Sequence, residues 1–248
     1  MGDPTRTVDR IAPTRRPDAP NAGTQQWREL LFLHWTFPLE VVRPLVPASL
    51  ELDAWEGRAW VGLVPFAMRA IRSSWMPESA GLDFLETNVR TYVVHDGVPG
   101  VWFFSLEASS WLAVRVARLV WNLPYFHASM ESAREGDRIT YASTRKSDDA
   151  PGVKATWEVG EMLGPSREGT LEHFLLERYM LFSATRAGGL RKGQVHHVPY
   201  PAQRAKLVGG IEQGLVGAAG LPLDPRTPPE TVHYSEGVDV EVFGPWDI

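Results

Sequence analysis

The chain has 248 residues, 44% of them hydrophobic, with a net charge of −5 and no cysteine. That is enough for one large domain or two small ones with a real core. It leaves no electrostatic footprint for nucleic acid or an anionic membrane, and it excludes disulfides, thiolate chemistry and cysteine-based zinc sites.

No apolar run approaches the roughly 20 residues of a membrane span. The N-terminus lacks an apolar signal core, so a cytoplasmic location is expected. Residues 1–23 carry Pro4, Pro13, Pro17 and Pro20, four arginines and almost nothing apolar. They read as a solvated, disordered and dispensable tail, leaving 24–248 as one domain.

Order begins with a buried strand, Arg28 to Trp35, on which parity puts Arg28 and His34 on the same face. Pro38 starts a short helix, Leu39 to Arg43, which Pro44 ends. Leu50 to Trp55 leads to a tight turn at Glu56-Gly57. Arg58 to Arg72 returns as a long strand, in which Pro65 marks an edge or a bulge.

Residues 83–130 are the centre of the chain. Glu86, Asn88, Arg90 and Tyr92 share one strand face and Thr87, Val89, Thr91 and Val93 the other, in period-two alternation. His95 to Gly100 reads as a hairpin connection, followed by a second strand, Val101 to Leu106. Ser109 or Ser110 caps a helix. Leu112, Val116 and Leu119 form one apolar row on it, and Trp111, Val114 and Trp121 another. Asn122 and Pro124 stop that helix, and Tyr125-Phe126-His127 opens a further strand.

Arg138 to Arg145 and Val153 to Val159 pair around a turn at 147–152. Glu168 to Arg178 is expected to be a helix. Tyr179 to Thr185, Gln194 to Val198 and Val238 to Phe243 are expected to be strands. Gly209 to Gly220 carries no clear pattern, and Leu221 to Glu230 reads as a proline-laden loop. Many strands with few helices predict one α+β domain centred on a curved sheet or barrel.

GxGxxG, P-loop, HExxH and GxSxG signatures are absent. His196 and His197 face opposite ways on a strand, so they do not ligate one metal there. His173 reads as part of a solvated helix face. For His34 and His127 the ordinary reading is a core histidine with a hydrogen-bond partner, and both stay candidates for substrate binding. Glu86 and Arg90 lie about 13 Å apart along their strand, too far for a direct ion pair. Their face is either solvated or a lumen for a small polar ligand.

Arg28-Glu29-(x)6-Thr36, the run LVPASLELD from Leu45 to Asp53, Glu86, the hairpin and helix, and Asn122-Leu123-Pro124-Tyr125-Phe126 resemble acetoacetate decarboxylases over residues 25–130. FLHW, WVGLVPF, NVRTY, LPYFHA, ERY and VHHVPY resemble more closely a bacterial domain of unknown function, family 2071, of the same superfamily.

The resemblance implies a predominantly antiparallel barrel or cone with a few flanking helices. By position, Arg28 matches an active-site arginine and Glu86 an active-site glutamate. In the decarboxylases, two lysines follow the proline at this point. The first forms a Schiff base and the second lowers its pKa. Here Tyr125 and Phe126 follow Pro124, and neither has an amine.

The expected site therefore has Glu86 and Tyr125 as catalytic groups. Arg28, Arg90, Tyr92, His34 and His127 bind substrate, with no metal or cofactor. The expected ligand is a small organic acid or carbonyl compound, and a homo-oligomer fits the composition. Three functions compete: a lysine-independent enzyme, a non-catalytic small-molecule binder, and an imine-forming lyase using a relocated Lys154. Only four of the 25 basic residues are lysines (Lys146, Lys154, Lys192 and Lys206).

Overall fold

The computed structural model describes residues 8–185 and 187–248. Strands dominate. They are β1 (Gly23–Phe37), β2 (Glu51–Leu52), β3 (Ala59–Ser73), β4 (Leu82–His95), β5 (Val98–Ala108) and β6 (Tyr125–Glu135). Next come β7 (Arg138–Arg145), β8 (Gly152–Gly164), β9 (Met180–Ala184), β10 (Leu190–His196), β11 (Ala202–Gln213) and β12 (Thr231–Asp247). The helices are α1 (Leu39–Val42), α2 (Trp111–Val120), α3 (Leu171–Leu176) and α4 (Leu215–Ala218).

All twelve strands form one mixed sheet in the order β10-β9-β5-β6-β7-β8-β11-β12-β1-β3-β4-β2. Further pairings, β10 with β12 and β5 with β4, make its hydrogen bonding return on itself. The pairs β5–β6 and β5–β9 are parallel and the rest antiparallel. The first and last strands run side by side, from Gly23 opposite Val242 to His34 opposite Thr231.

Alternation along the long strands splits the core in two. Leu31, Leu33 and Trp35 of β1 join Val89 and Val93 of β4 in one cluster. Leu30 and Phe32 join Tyr92, Phe66 and Phe84 in the other. Both faces of β4 are thus buried, including the polar one. Asp96 and Gly97 turn β4 into β5 at φ 52° and 78°, the left-handed pair that matches hairpin twist.

Two departures from simple alternation matter for the site. Glu29 has φ 55°, and the β1–β3 register shifts between Arg28 and Leu33. This bulge inserts a residue and reverses parity, so Arg28 and His34 do not share a face. Pro65, which has no N–H to give, lies in the stretch of β3 opposite that irregularity. A second shift falls between Val89 and Arg90 on the β4–β5 pair.

Helix α2 is capped as expected, with Ser110 Oγ accepting from the Ala113 N–H at 3.3 Å. Its two apolar rows lie largely outside the core. Leu112, Val116 and Leu119 are exposed and only Val114 is buried. The expected 168–178 helix is the shorter α3, capped by Thr170. His173 on it is buried rather than solvated.

The N-terminal segment also departs from expectation. Residues 1–7 lie outside the described residues. Residues 8–22 dock on the sheet through polar contacts and through the buried Pro13. Arg10 donates to both Asp53 oxygens at 2.6 and 2.7 Å, and Arg16 to both Glu241 oxygens at 2.7 and 2.8 Å. Gln194 donates to the Pro13 and Arg15 carbonyls. A composition that cannot build a core can still strap onto one. Among the described residues no helix is long and apolar enough to cross a membrane.

Candidate functional site

The second core cluster surrounds a cavity of about 560 Å³. Strand register builds its polar wall. Asn88 on β4 lies opposite Leu106 on β5, which lies opposite Tyr125 on β6. One row along, Glu86 faces Ala108, which faces His127. Pro124 ends the connection from α2, so β6 starts at Tyr125 with its side chain on this wall. Glu86, Asn88, Arg90 and Tyr125 all line the cavity, joined by Arg178, Tyr179 and Tyr200.

Glu86 is buried, and its Oε2 accepts from the Tyr125 hydroxyl at 2.8 Å. Burial raises its pKa from 4.5 to about 8; the Tyr125 hydrogen bond opposes the rise and the Glu107 charge adds to it. At neutral pH it is mostly an uncharged acid. Burial also drives the Tyr125 phenol well above its ordinary value, with the Glu86 charge adding to the rise. Glu107 itself is buried and ion-paired with Arg145.

Arg90 carries the charge of the wall. It is buried, and its Nη2 reaches the Leu175 carbonyl only at 3.4 Å. Nε has no hydrogen-bond partner, and among the described residues Arg90 forms no ion pair. The guanidinium lies 5.7 Å from the Phe32 ring centre and 6.0 Å from that of Tyr92. Asn88 Oδ1, also buried, is unpaired too.

Arg178 adds a second cation. Its Nη1 donates to Asp53 at 2.6 Å and its Nε to the Phe174 carbonyl at 2.7 Å, while Nη2 stays unpaired. Asp53 already holds Arg10, so one carboxylate serves two guanidinium groups. With Glu86 protonated, the polar wall has net positive charge. Buried polar groups are normally satisfied, so the open guanidinium donors suit an anionic group, while Asn88 Oδ1 calls for a hydrogen-bond donor.

His34 and Tyr92 stand behind Arg90 rather than on the cavity surface. The Tyr92 hydroxyl donates to the Leu175 carbonyl at 2.8 Å. Its oxygen must therefore accept from His34 Nε2 at 2.7 Å. Nδ1 then takes the Thr231 hydroxyl proton at 3.3 Å. Burial, reinforced by Arg90 and His233, lowers the His34 pKa well below 6.5, so the ring is neutral. Gly62 leaves it space, since a Cβ there would lie 3.1 Å from the imidazole.

Two expected residues are placed elsewhere. Arg28 does not line the cavity; it donates to the Trp27 and Val238 carbonyls and pairs with the exposed Asp239. The bulge at Glu29 turns it away, leaving Trp27 and Leu30 on the cavity side. His127 shares the row of Glu86 but is half-buried and does not line the cavity. Lys154, Lys146 and Lys206 are exposed and Lys192 half-buried, and none lines it.

Sequence reasoning missed Arg178, Tyr179, Tyr200 and the Arg10–Asp53 contact. The first three lie in the ERY and VHHVPY motifs, which signalled membership without a role. Among the described residues no group of three or more His, Asp or Glu side chains is placed to hold a metal ion.

Solved structures with this architecture are acetoacetate decarboxylase-like. The enduracididine biosynthesis enzyme MppR, complexed with the condensation product of pyruvate and imidazole 4-carboxaldehyde, matches at TM-score 0.61 and 13% identity over 92% of this chain and 90% of that one. An acetoacetate decarboxylase-like enzyme from Sphingomonas wittichii RW1 matches at 0.60 and 12%, over 93% and 94%. Acetoacetate decarboxylase from Legionella pneumophila matches at 0.57 and 15%, over 100% and 96%. At these identities the likeness defines the fold class.

Within that class, residues 24–239 match the family DUF2071, described as an uncharacterized conserved protein, and the chain belongs to it. The uncharacterized protein YqjF of Bacillus subtilis is 36% identical over 225 residues, 90% of this chain and 91% of that protein.

Proposed function

We propose that this protein is a lysine-independent enzyme for a small organic acid or carbonyl compound, bound in the lumen of a barrel-like closed sheet. The observation that carries the reading is a buried guanidinium, Arg90, without a counter-ion among the described residues, in the same cavity as a carboxylic acid held neutral near pH 7. Arg90 takes the ligand carboxylate in a forked, charge-assisted pair, the free Nη2 of Arg178 adds a hydrogen bond, and Asn88 Oδ1, an acceptor, is open to a donor such as water. Glu86 exchanges a proton with the carbon next to the ligand carbonyl, or with the carbonyl oxygen. A pKa of about 8 keeps both its forms accessible near neutrality, as a general acid–base group requires. Tyr125 orients the carboxyl by its hydrogen bond. MppR, of the same fold, is complexed with pyruvate in one structure, which supports a keto acid as first probe.

The test has two readouts. Pyruvate and acetoacetate should raise the thermal midpoint, and Arg90→Met should abolish the rise. In deuterated water the protein should speed exchange of the protons next to the ligand carbonyl, followed by NMR, and Glu86→Gln should stop it. Binding without any exchange would leave the second reading, a non-catalytic binder. Carboxylate binding that survives Arg90→Met would remove Arg90 from the site.

A further inference from the structure

We propose that the ligand is an amphiphile: an acid with its carboxylate at Arg90 and an unbranched apolar tail that runs along α2 to the cavity mouth. This rests on the reading that Arg90 receives a carboxylate, and it names the substrate class of that same site.

Exposure along the wall gives the cavity a direction. Arg90, at 9%, lies at the bottom, while Val116 at 50% and Trp75 at 82% line the other end. Between them the walls are apolar, with Leu123, Phe84 and Met68 among the groups facing the space. The buried, unpaired polar groups lie at the closed end; Gln25, Arg72 and Ser73 also line the space, and the rest of the path to solvent is hydrocarbon. A site for a small polar acid alone needs only the closed end.

Volume agrees. At about 30 Å³ per water, 560 Å³ holds roughly 19 waters. A pyruvate-sized acid leaves most of that space, and nearly all the apolar wall, wet. Two members of the exposed row on α2 have the same explanation; Leu119, the third, lies off the cavity. Leu112 and Val116 repeat at helical spacing, which normally marks a core face, yet they line the cavity and not the core. They are the wall of a channel whose filling is the ligand.

The experiment is a chain-length series of unbranched carboxylates, butanoate to hexadecanoate, each below its micelle concentration, titrated calorimetrically into the full chain. Each added methylene should tighten binding roughly fourfold, levelling off once the tail clears the mouth. Alcohols of equal length should bind at least tenfold more weakly, since they cannot use the charge-assisted pair. Arg90→Met should erase that preference. Val116→Asn, at an exposed position tolerant of polarity, should flatten the dependence on length.

Equal affinity for butanoate and decanoate would overturn the tail while leaving the carboxylate reading standing. Decanoate bound as tightly by Arg90→Met as by wild type would overturn the anchored orientation. Failure of every acid to bind would overturn both readings. A stable dimer that buries Val116 would also overturn the proposal, because it would close the mouth.

Discussion

Replacing Glu86 by glutamine should change how stability depends on pH. In the unfolded chain the carboxyl titrates near 4.5 and in the folded one near 8. Between those values the folded state holds a proton that the unfolded state has released. Stability therefore falls as pH rises through this window, being full below about 4.5 and lost progressively up to about 8. At 1.36 kcal/mol per pH unit the whole effect is about 5 kcal/mol, an order-of-magnitude figure. Glutamine has the shape of the neutral acid and can still accept the Tyr125 hydroxyl, but it does not ionise. Burial also raises Glu107 and Glu177, so the slope of wild type alone reports several groups. The difference between wild type and Glu86→Gln isolates one. Urea denaturation from about pH 5 to about pH 9 should show the variant gaining several kcal/mol relative to wild type. A difference that stays flat across that range would mean that Glu86 ionises normally, and the neutral-acid argument would fall with it.

Incubation with acetoacetate or pyruvate followed by borohydride should leave the intact mass unchanged, because no lysine lines the cavity; a stoichiometric adduct on Lys154 would restore imine chemistry. Deleting residues 1–22 should lower the thermal midpoint by about 4 °C or more, the scale of losing roughly 2 kcal/mol from a chain of this size, through the contacts of Arg10, Arg16 and Pro13; an unchanged midpoint would show that the strap contributes nothing. Gly237→Ala should cost more than about 2 kcal/mol in urea titrations, since its φ is 133° and a Cβ would sit 2.0 Å from the Trp27 carbonyl oxygen.

The sequence showed most about the places where local rules go undisturbed. Alternation on β4 placed Glu86, Asn88 and Arg90 on one face because the extra residue of the shift between Val89 and Arg90 lies on β5, leaving β4 itself regular. Arg28 was misread because parity assumes a regular ladder, and the single left-handed residue Glu29 reverses it. No turn-former or glycine announces that bulge; its trace is Pro65 on the neighbouring strand. On α2 the apolar rows were legible but what they face was not. An apolar row records only that water is excluded from a face, whether by protein or by something the protein holds. Arg178 and Tyr200 were invisible as site residues because nothing local to their segments points to β4. Only the closing of the sheet brings them there.

That closing has a consequence for how the chain matures. β1 is bordered on one side by β12, which is made long after it, with Gly23 opposite Val242. Until β12 has been made, β1 can pair with β3 but its other side stays unsatisfied, and Trp27, Leu30 and Phe32 have an incomplete lining. Pairing of β1 with β12 must wait for a very long loop to close, which makes folding slow and leaves sticky strands open meanwhile. The nascent chain should therefore depend on chaperones. A truncation lacking β12 should be captured by them rather than accumulate as a smaller folded unit.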